Sequence, residues 1–143
     1  LSINLNDISI NINDILFRYW IWQGGPYDFD QLAKDSVRYI PPHHLLKIED
    51  SIHFKAIASN DYTTYNNFNK AVGEEGEHSE LKFRELKDRF YGKALYKYKI
   101  RLNWHEELNK YIVADGRHRL AIARLRTLGT TNLLPRDWFI VYE

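Results

Sequence analysis

Residues 115–119 read Asp-Gly-Arg-His-Arg. They follow the apolar run Tyr111-Ile112-Val113-Ala114 and precede Leu120, Ala121, Ala123, Leu125 and Leu128, which recur with helical spacing. Three cationic or potentially cationic residues therefore open a helix. That placement opposes the helix dipole, whose N-terminal end carries about +0.5 charge and disfavours each cation by ~0.3–1 kcal/mol. Local rules are broken in this way at functional sites. A bound oxyanion removes the conflict: unpaired backbone N–H groups, the dipole and the side chains of Arg117, His118 and Arg119 would converge on one phosphate. Gly116 lets the backbone come close to such a ligand. Asp115 has two roles open to it, N-cap carboxylate or ligand of a divalent cation that accompanies the phosphate. The competing reading is structural: Asp115 caps the helix and both arginines point into water. Arg124 and Arg126, two turns on, read as a solvated face.

The elements that must hold this turn are legible to different degrees. Val37-Arg38-Tyr39-Ile40 reads as a short strand that Pro41-Pro42 must end or push to a sheet edge. Asp61 is placed to cap a helix through Ala71, and Ser79 a second one with Leu81, Leu86 and Phe90 on one side, closed by Gly92. Gly73–Glu77 reads as a solvated acidic turn. Tyr96, Tyr98, Ile100 and Leu102 alternate with Lys97, Lys99 and Arg101, the pattern of a half-buried strand. Asn103–Asn109 follows as a hairpin loop and Tyr111–Ala114 as a central strand. Gly129 stops the helix that begins at Arg117, and Trp138–Tyr142 forms a last strand. At the N-terminus Leu1–Ile12 alternates weakly. Asn13 and Asp14 can cap a helix carrying Ile15, Leu16, Tyr19 and Trp20, ended by Gly24-Gly25-Pro26, with a further short helix around residues 29–34. The order predicts a small α+β domain: a mixed sheet with flanking helices.

Composition bounds the chemistry. The chain has 143 residues, 44% hydrophobic and 27% charged, with a net charge of +1. It is long enough for one cored domain, and it lacks the overall charge of a protein that coats nucleic acid. There is no cysteine, which excludes disulfides, thiolate metal sites and cysteine nucleophiles and fits a cytoplasmic setting. No apolar run approaches the ~18 residues of a membrane span, and no signal peptide is visible. The chain begins with Leu1 and contains no methionine, so a fragment of a larger protein is expected. Aromatic residues reach 15%, material for a core and also for stacking on bases. His53, His78 and His105 stand alone in the sequence and read as surface residues.

Strand, Asp-Gly-Arg-His-Arg-Leu-Ala, helix, Leu-Gly, strand resembles the ParB/sulfiredoxin superfamily, whose strand-to-helix turn holds nucleotide phosphates. The resemblance spans about residues 36–142 and is most specific over 111–129; Val37–Pro41 with Leu45 is similar to the family's first strand and its exit. It implies a ParB/sulfiredoxin-like domain over residues 36–143, preceded by a mostly helical N-terminal extension over 1–35. Arg117 stands where sulfiredoxins carry their cysteine, so sulfinic acid reduction is excluded. The turn is closest to that of the free-serine kinases, Asp-Gly-His-His-Arg. That branch also carries a catalytic glutamate at the end of Ile-Pro-x-x-x-Leu-x-x-x-Glu, a spacing matched by Ile40 through Glu49.

The resemblance therefore implies a phosphotransferase, an ATP- or ADP-dependent kinase acting on a small hydroxylated molecule, with CTP as another candidate nucleotide and Mg²⁺ as cofactor. Gly116, Arg117, His118 and Arg119 would hold phosphates. Asp115 would hold Mg²⁺ or orient the acceptor, and Glu49 would be the general base. His43 and His44 adjoin it, and since neighbours on an extended chain face opposite ways, at most one reaches the site. The alternative is a nucleotide-binding module without turnover, or a partition- or nuclease-type ParB-like domain. Nucleic acid is a disfavoured partner, no membrane is expected, and a second copy of the chain is a candidate partner.

Overall fold

A computed structural model describes residues 8–20, 35–40, 43–74, 76 and 78–143. The expectations for residues 1–5, for the Gly24-Gly25-Pro26 stop, for a helix near 29–34 and for Pro41-Pro42 lie outside them. The fold is mixed α+β. A six-stranded sheet has the order β3 (Arg38–Ile40), β4 (His43–Lys47), β2 (Ile15–Trp20), β6 (Lys110–Asp115), β5 (Ile100–His105), β8 (Phe139–Tyr142). β2 runs parallel to β6 and antiparallel to β4; β5 runs antiparallel to β6 and parallel to β8. A separate pair joins β1 (Ser9–Asn11) to β7 (Leu133–Pro135).

Residues 15–20 are a strand near the middle of this sheet, not the helix expected of them. Ile15, Phe17 and Tyr19 enter the main core on one face while Leu16 joins Leu45 and Ile112 on the other. A strand buried on both faces has no polar alternation, so its apolar positions imitate helical spacing. This segment is thus part of the same core as residues beyond 35, not a helical extension. Each large side chain so buried contributes about 1.5–3 kcal/mol.

Helices cover the main face. α1 (Ile52–Ser59) starts at Ser51, whose Oγ accepts from the Phe54 amide at 3.0 Å, and it packs against α5 (Arg117–Thr127). α2 (Thr63–Ala71) forms over the expected stretch, but Tyr62, not Asp61, is its N-cap; Asp61, one residue earlier, accepts from the Thr63 amide through Oδ1 at 3.1 Å. α3 (Glu80–Arg89) is capped by Ser79 as read, but its inward residue is Phe83, 2% exposed, whereas Leu81 is 66% exposed. The alternation at 96–102 is only half a strand: Lys93–Lys97 coil into α4, Tyr96 and Tyr98 face solvent, and β5 begins at Ile100. The local helix is compatible with the apolar spacing of Ala94 and Leu95, which lie against the core. Among the described residues no helix is long and apolar enough to cross a membrane.

Candidate functional site

β6 hands over to α5 through Gly116, whose φ of +101° is open to glycine and strained for other residues. The first intrahelical bond runs from the Leu120 amide to the Gly116 carbonyl, 2.8 Å. The amides of Arg117, His118 and Arg119 stand ahead of it and carry the positive end of the dipole. Asp115 is not the cap. Its Oδ2 accepts from Arg119 Nη2 at 3.0 Å, one turn along, and its side chain is 64% exposed.

Arg119 folds back over the turn. Its Nη1 donates to the Lys99 carbonyl at 2.7 Å, which ties the turn to the strand beside β6. A Cβ placed on Gly116 would stand 3.0 Å from Arg119 Nη2. Gly116→Ala therefore strains the backbone and displaces the guanidinium; an expected loss of ~1–3 kcal/mol should appear as a lower urea midpoint, together with weaker phosphate binding.

The three basic residues of the turn have three different fates. Arg119 reaches an open pocket of about 730 Å³. It is lined by the Asp115–Gly116 turn with His118 and Tyr65, and along α3 by Ser79, Lys82, Phe83, Glu85, Leu86 and Arg89. Arg117 turns the other way, its guanidinium 5.3 Å from the Tyr19 ring and 5.7 Å from the Phe68 ring, with Glu74 at 4.0 Å. It does not line the pocket.

His118 is packed rather than presented. Its Nε2 shares a 2.8 Å hydrogen bond with the Tyr65 hydroxyl, and its ring stacks on His78 at 4.6 Å and meets His53 edge-on at 4.5 Å. Burial, with Coulombic repulsion from His78, Arg117 and Arg119, holds its pKa down at about 3. His118 is consequently neutral near pH 7 and offers a ligand a hydrogen bond or ring contact, not the charge expected of it. The positive charge at the pocket comes from Arg119, Lys82 and Arg89, the latter two on α3.

Glu49 lies elsewhere. Its Oε1 accepts from Arg124 Nε at 2.6 Å, and Arg124, 6% exposed, also donates to the Thr131 carbonyl. Arg124 is seven residues beyond Arg117, about 10 Å along the helix, and Glu49 is not among the residues that line the pocket. Arg124 is thus an internal tie, not part of a solvated face. Arg126 is likewise engaged, donating to the Phe90 carbonyl at 3.1 Å. His43 and His44 sit in β4, where His44 Nδ1 pairs with Ser36 Oγ at 3.0 Å, and neither reaches the pocket.

His78 and His53 are not isolated surface residues. His53 is 0% exposed with its Nδ1 2.7 Å from the Tyr19 hydroxyl, and His78 lines the pocket beside Ser79. Glu74, expected to be solvated, has Oε2 3.8 Å from His78 Nε2. Only one local signal pointed here: Ser79 as a helix cap places whatever precedes it at a helix entrance. Among the described residues no group of three or more His, Asp or Glu side chains could by itself hold a metal ion. The arrangement can seat an oxyanion on amides and guanidinium, with two exposed carboxylates, Asp115 and Glu85, also lining the pocket. Searches against family models, curated proteins and solved structures return no match for this chain.

Proposed function

We propose that the chain is a ParB/sulfiredoxin-like nucleotide-binding domain, closest to the free-serine kinase branch, that transfers a phosphoryl group from ATP or ADP to a small hydroxylated molecule. One observation carries this reading: Gly116, His118 and Arg119, at the start of α5, line a pocket of about 730 Å³, within the range of small-molecule sites. Lys82 and Arg89 on α3 also line it and add positive charge toward a polyphosphate, part of which Glu85, 3.8 Å from Arg89, offsets. In such a site positioning and neutralisation supply the catalysis.

Mg²⁺ fits as an ion carried by the nucleotide. It is commonly held by one or two carboxylates plus phosphate oxygens, and Asp115 at the pocket edge supplies one. Such an ion would neutralise developing phosphate charge. Arg119 would hold the phosphates. Alternatively, Asp115 would orient the acceptor hydroxyl.

A second reading, nucleotide binding without turnover, is favoured by the position of Glu49. The base implied by the family resemblance is held by Arg124 outside the pocket.

Calorimetric titration of ATP, ADP and CTP with Mg²⁺ tests both. Heat with at least one nucleotide supports the site, and silence with all three rejects it. Phosphate transfer to a panel of hydroxylated metabolites, followed by ³¹P NMR, then separates the readings: binding with no transfer or hydrolysis selects the second. If Glu49 is the base, Glu49→Gln spares binding and stops transfer; unchanged transfer removes Glu49 from the chemistry.

A further inference from the structure

Charge in this chain is unevenly distributed. Residues 82–101 contain eight lysines and arginines against two acids, a local net charge of +6 where the whole chain carries +1. Within that stretch Arg84 and Arg89 pair with Glu80 and Glu85. Among the described residues Lys82, Lys87, Lys93, Lys97, Lys99 and Arg101 form no ion pair. Interleaved with them are Tyr91, Tyr96 and Tyr98, which are 59%, 49% and 52% exposed; the Arg126 guanidinium lies 5.3 Å from the Tyr91 ring, Lys97 Nζ lies 5.3 Å from the Tyr98 ring, and Tyr96 meets Trp138 edge-on at 6.2 Å. Tyrosines of this exposure are costly ornaments on an ordinary surface, since each leaves a large apolar ring in water.

Lys93 and Lys97 share one side of α4, one turn apart, whereas Lys82 and Lys87, five residues apart, point to different sides of α3. The α3 helix carries Lys82 and Lys87, the turn at Tyr91-Gly92 leads into α4, and Lys97-Tyr98-Lys99 leads into β5. The stretch also borders the pocket, because Lys82, Arg89, Ala94 and Tyr98 line it and the Lys99 carbonyl holds Arg119.

We propose that the surface presented by Lys93–Arg101, four cations and no acid, is a docking surface for single-stranded nucleic acid. Its phosphates would lie along the unpaired lysines and Arg101, and its unstacked bases on the exposed tyrosine rings. The tyrosines select single strands, because a duplex presents phosphates but hides the faces of its bases. An anionic membrane is a poorer fit: the aliphatic side chain of α4, Leu95, is 8% exposed and turned into the core, so the helix has nothing to insert. An acidic peptide would satisfy the lysines and leave the rings unused. Lys93, Tyr96 and Lys97 do not line the pocket, so this surface is separable from what the pocket binds.

The test is fluorescence anisotropy of a labelled oligothymidylate with the whole chain. If about four phosphates are engaged, affinity falls roughly fiftyfold between about 50 and 200 mM salt, at ~0.7 in logarithmic slope per phosphate. Lys93→Glu with Lys97→Glu should weaken binding by about tenfold or more and flatten that slope, while leaving nucleotide binding in the pocket unchanged, since neither residue lines it. Tyr96→Ala should cost about fivefold or more at both salt concentrations. The proposal is overturned if the oligonucleotide does not bind, or if both variants bind it like the parent. It is equally overturned if duplex DNA, polyglutamate or phosphatidylserine vesicles compete as well as the single strand at matched charge.

Discussion

Arg119→Ala should abolish phosphate and nucleotide binding at a modest cost to the fold. A hydrogen bond to a charged group is worth ~1.5–3 kcal/mol, and a guanidinium on a phosphate makes two in parallel, so affinity should fall by about a hundredfold or more. The stability side has two parts. The Asp115–Arg119 pair is a single-turn pair with a largely exposed carboxylate, a geometry worth about 0.3–0.5 kcal/mol, and the bond from Arg119 to the Lys99 carbonyl adds about 1 kcal/mol. Arg119→Lys keeps the charge and loses the fork, and should fall between.

Arg117→Ala should behave in the opposite way. Its guanidinium covers the Tyr19 and Phe68 rings, an arrangement worth about 1 kcal/mol or more when partly desolvated. The variant should melt earlier and bind phosphate as before. Titration with ADP beside thermal melts of both variants checks the assignment. Were Arg117→Ala to lose the ligand and Arg119→Ala to keep it, the two arginines would have been given each other's roles.

This division of labour between adjacent arginines was not visible in the sequence, though the turn itself was. Gly116 between a continuous apolar strand and a periodic helix announces a positive-φ junction, and cations at a helix start announce an anion; both are local facts. Which cation faces the pocket depends on Tyr19, Phe68 and Lys99, residues far away in the chain. Glu49 and Arg124, 75 residues apart, are beyond any local pattern. So are His53 and His78, which single-residue reading treats as stray surface histidines and which only the packing of α1, α3 and α5 brings to His118.

The strand at 15–20 failed for a related reason. Burial on both faces erased the period that distinguishes strand from helix, and its partners β4 and β6 lie further along the chain. Tyr96 and Tyr98 mislead in the other direction. Their alternation with lysines imitates a half-buried strand, yet both rings stay in water because α4 intervenes before β5.

Acid should unfold this protein through its histidines. His118 is depressed to about 3 and His53 lies well below its ordinary value of 6.5, both mainly because burial opposes the charged form. In the unfolded chain both regain that ordinary value. Above pH 6.5 both states hold the neutral rings and stability is insensitive to them. As pH falls from 6.5 towards about 3, the unfolded state binds protons that the folded state refuses, so stability is lost across that window. Each such site contributes a slope of up to about 1.4 kcal/mol per pH unit, and two together up to about 2.7. Against a typical total of ~5–15 kcal/mol, two to three units of acidification consume much of the margin. Burial is also built in around them: His53 Nε2 has no hydrogen-bond partner, and its neighbours are the rings of Phe17, Tyr19, Tyr65 and Phe83. A proton placed there would find no acceptor and would face Arg117 and the other imidazoles. Urea midpoints measured from pH 7.5 to 4 should therefore drop steeply in the parent, and the slope should fall by about half in His53→Phe, whatever that change does to stability at pH 7. Equal slopes in the two proteins would show that the carboxylates, not the imidazole stack, govern acid sensitivity.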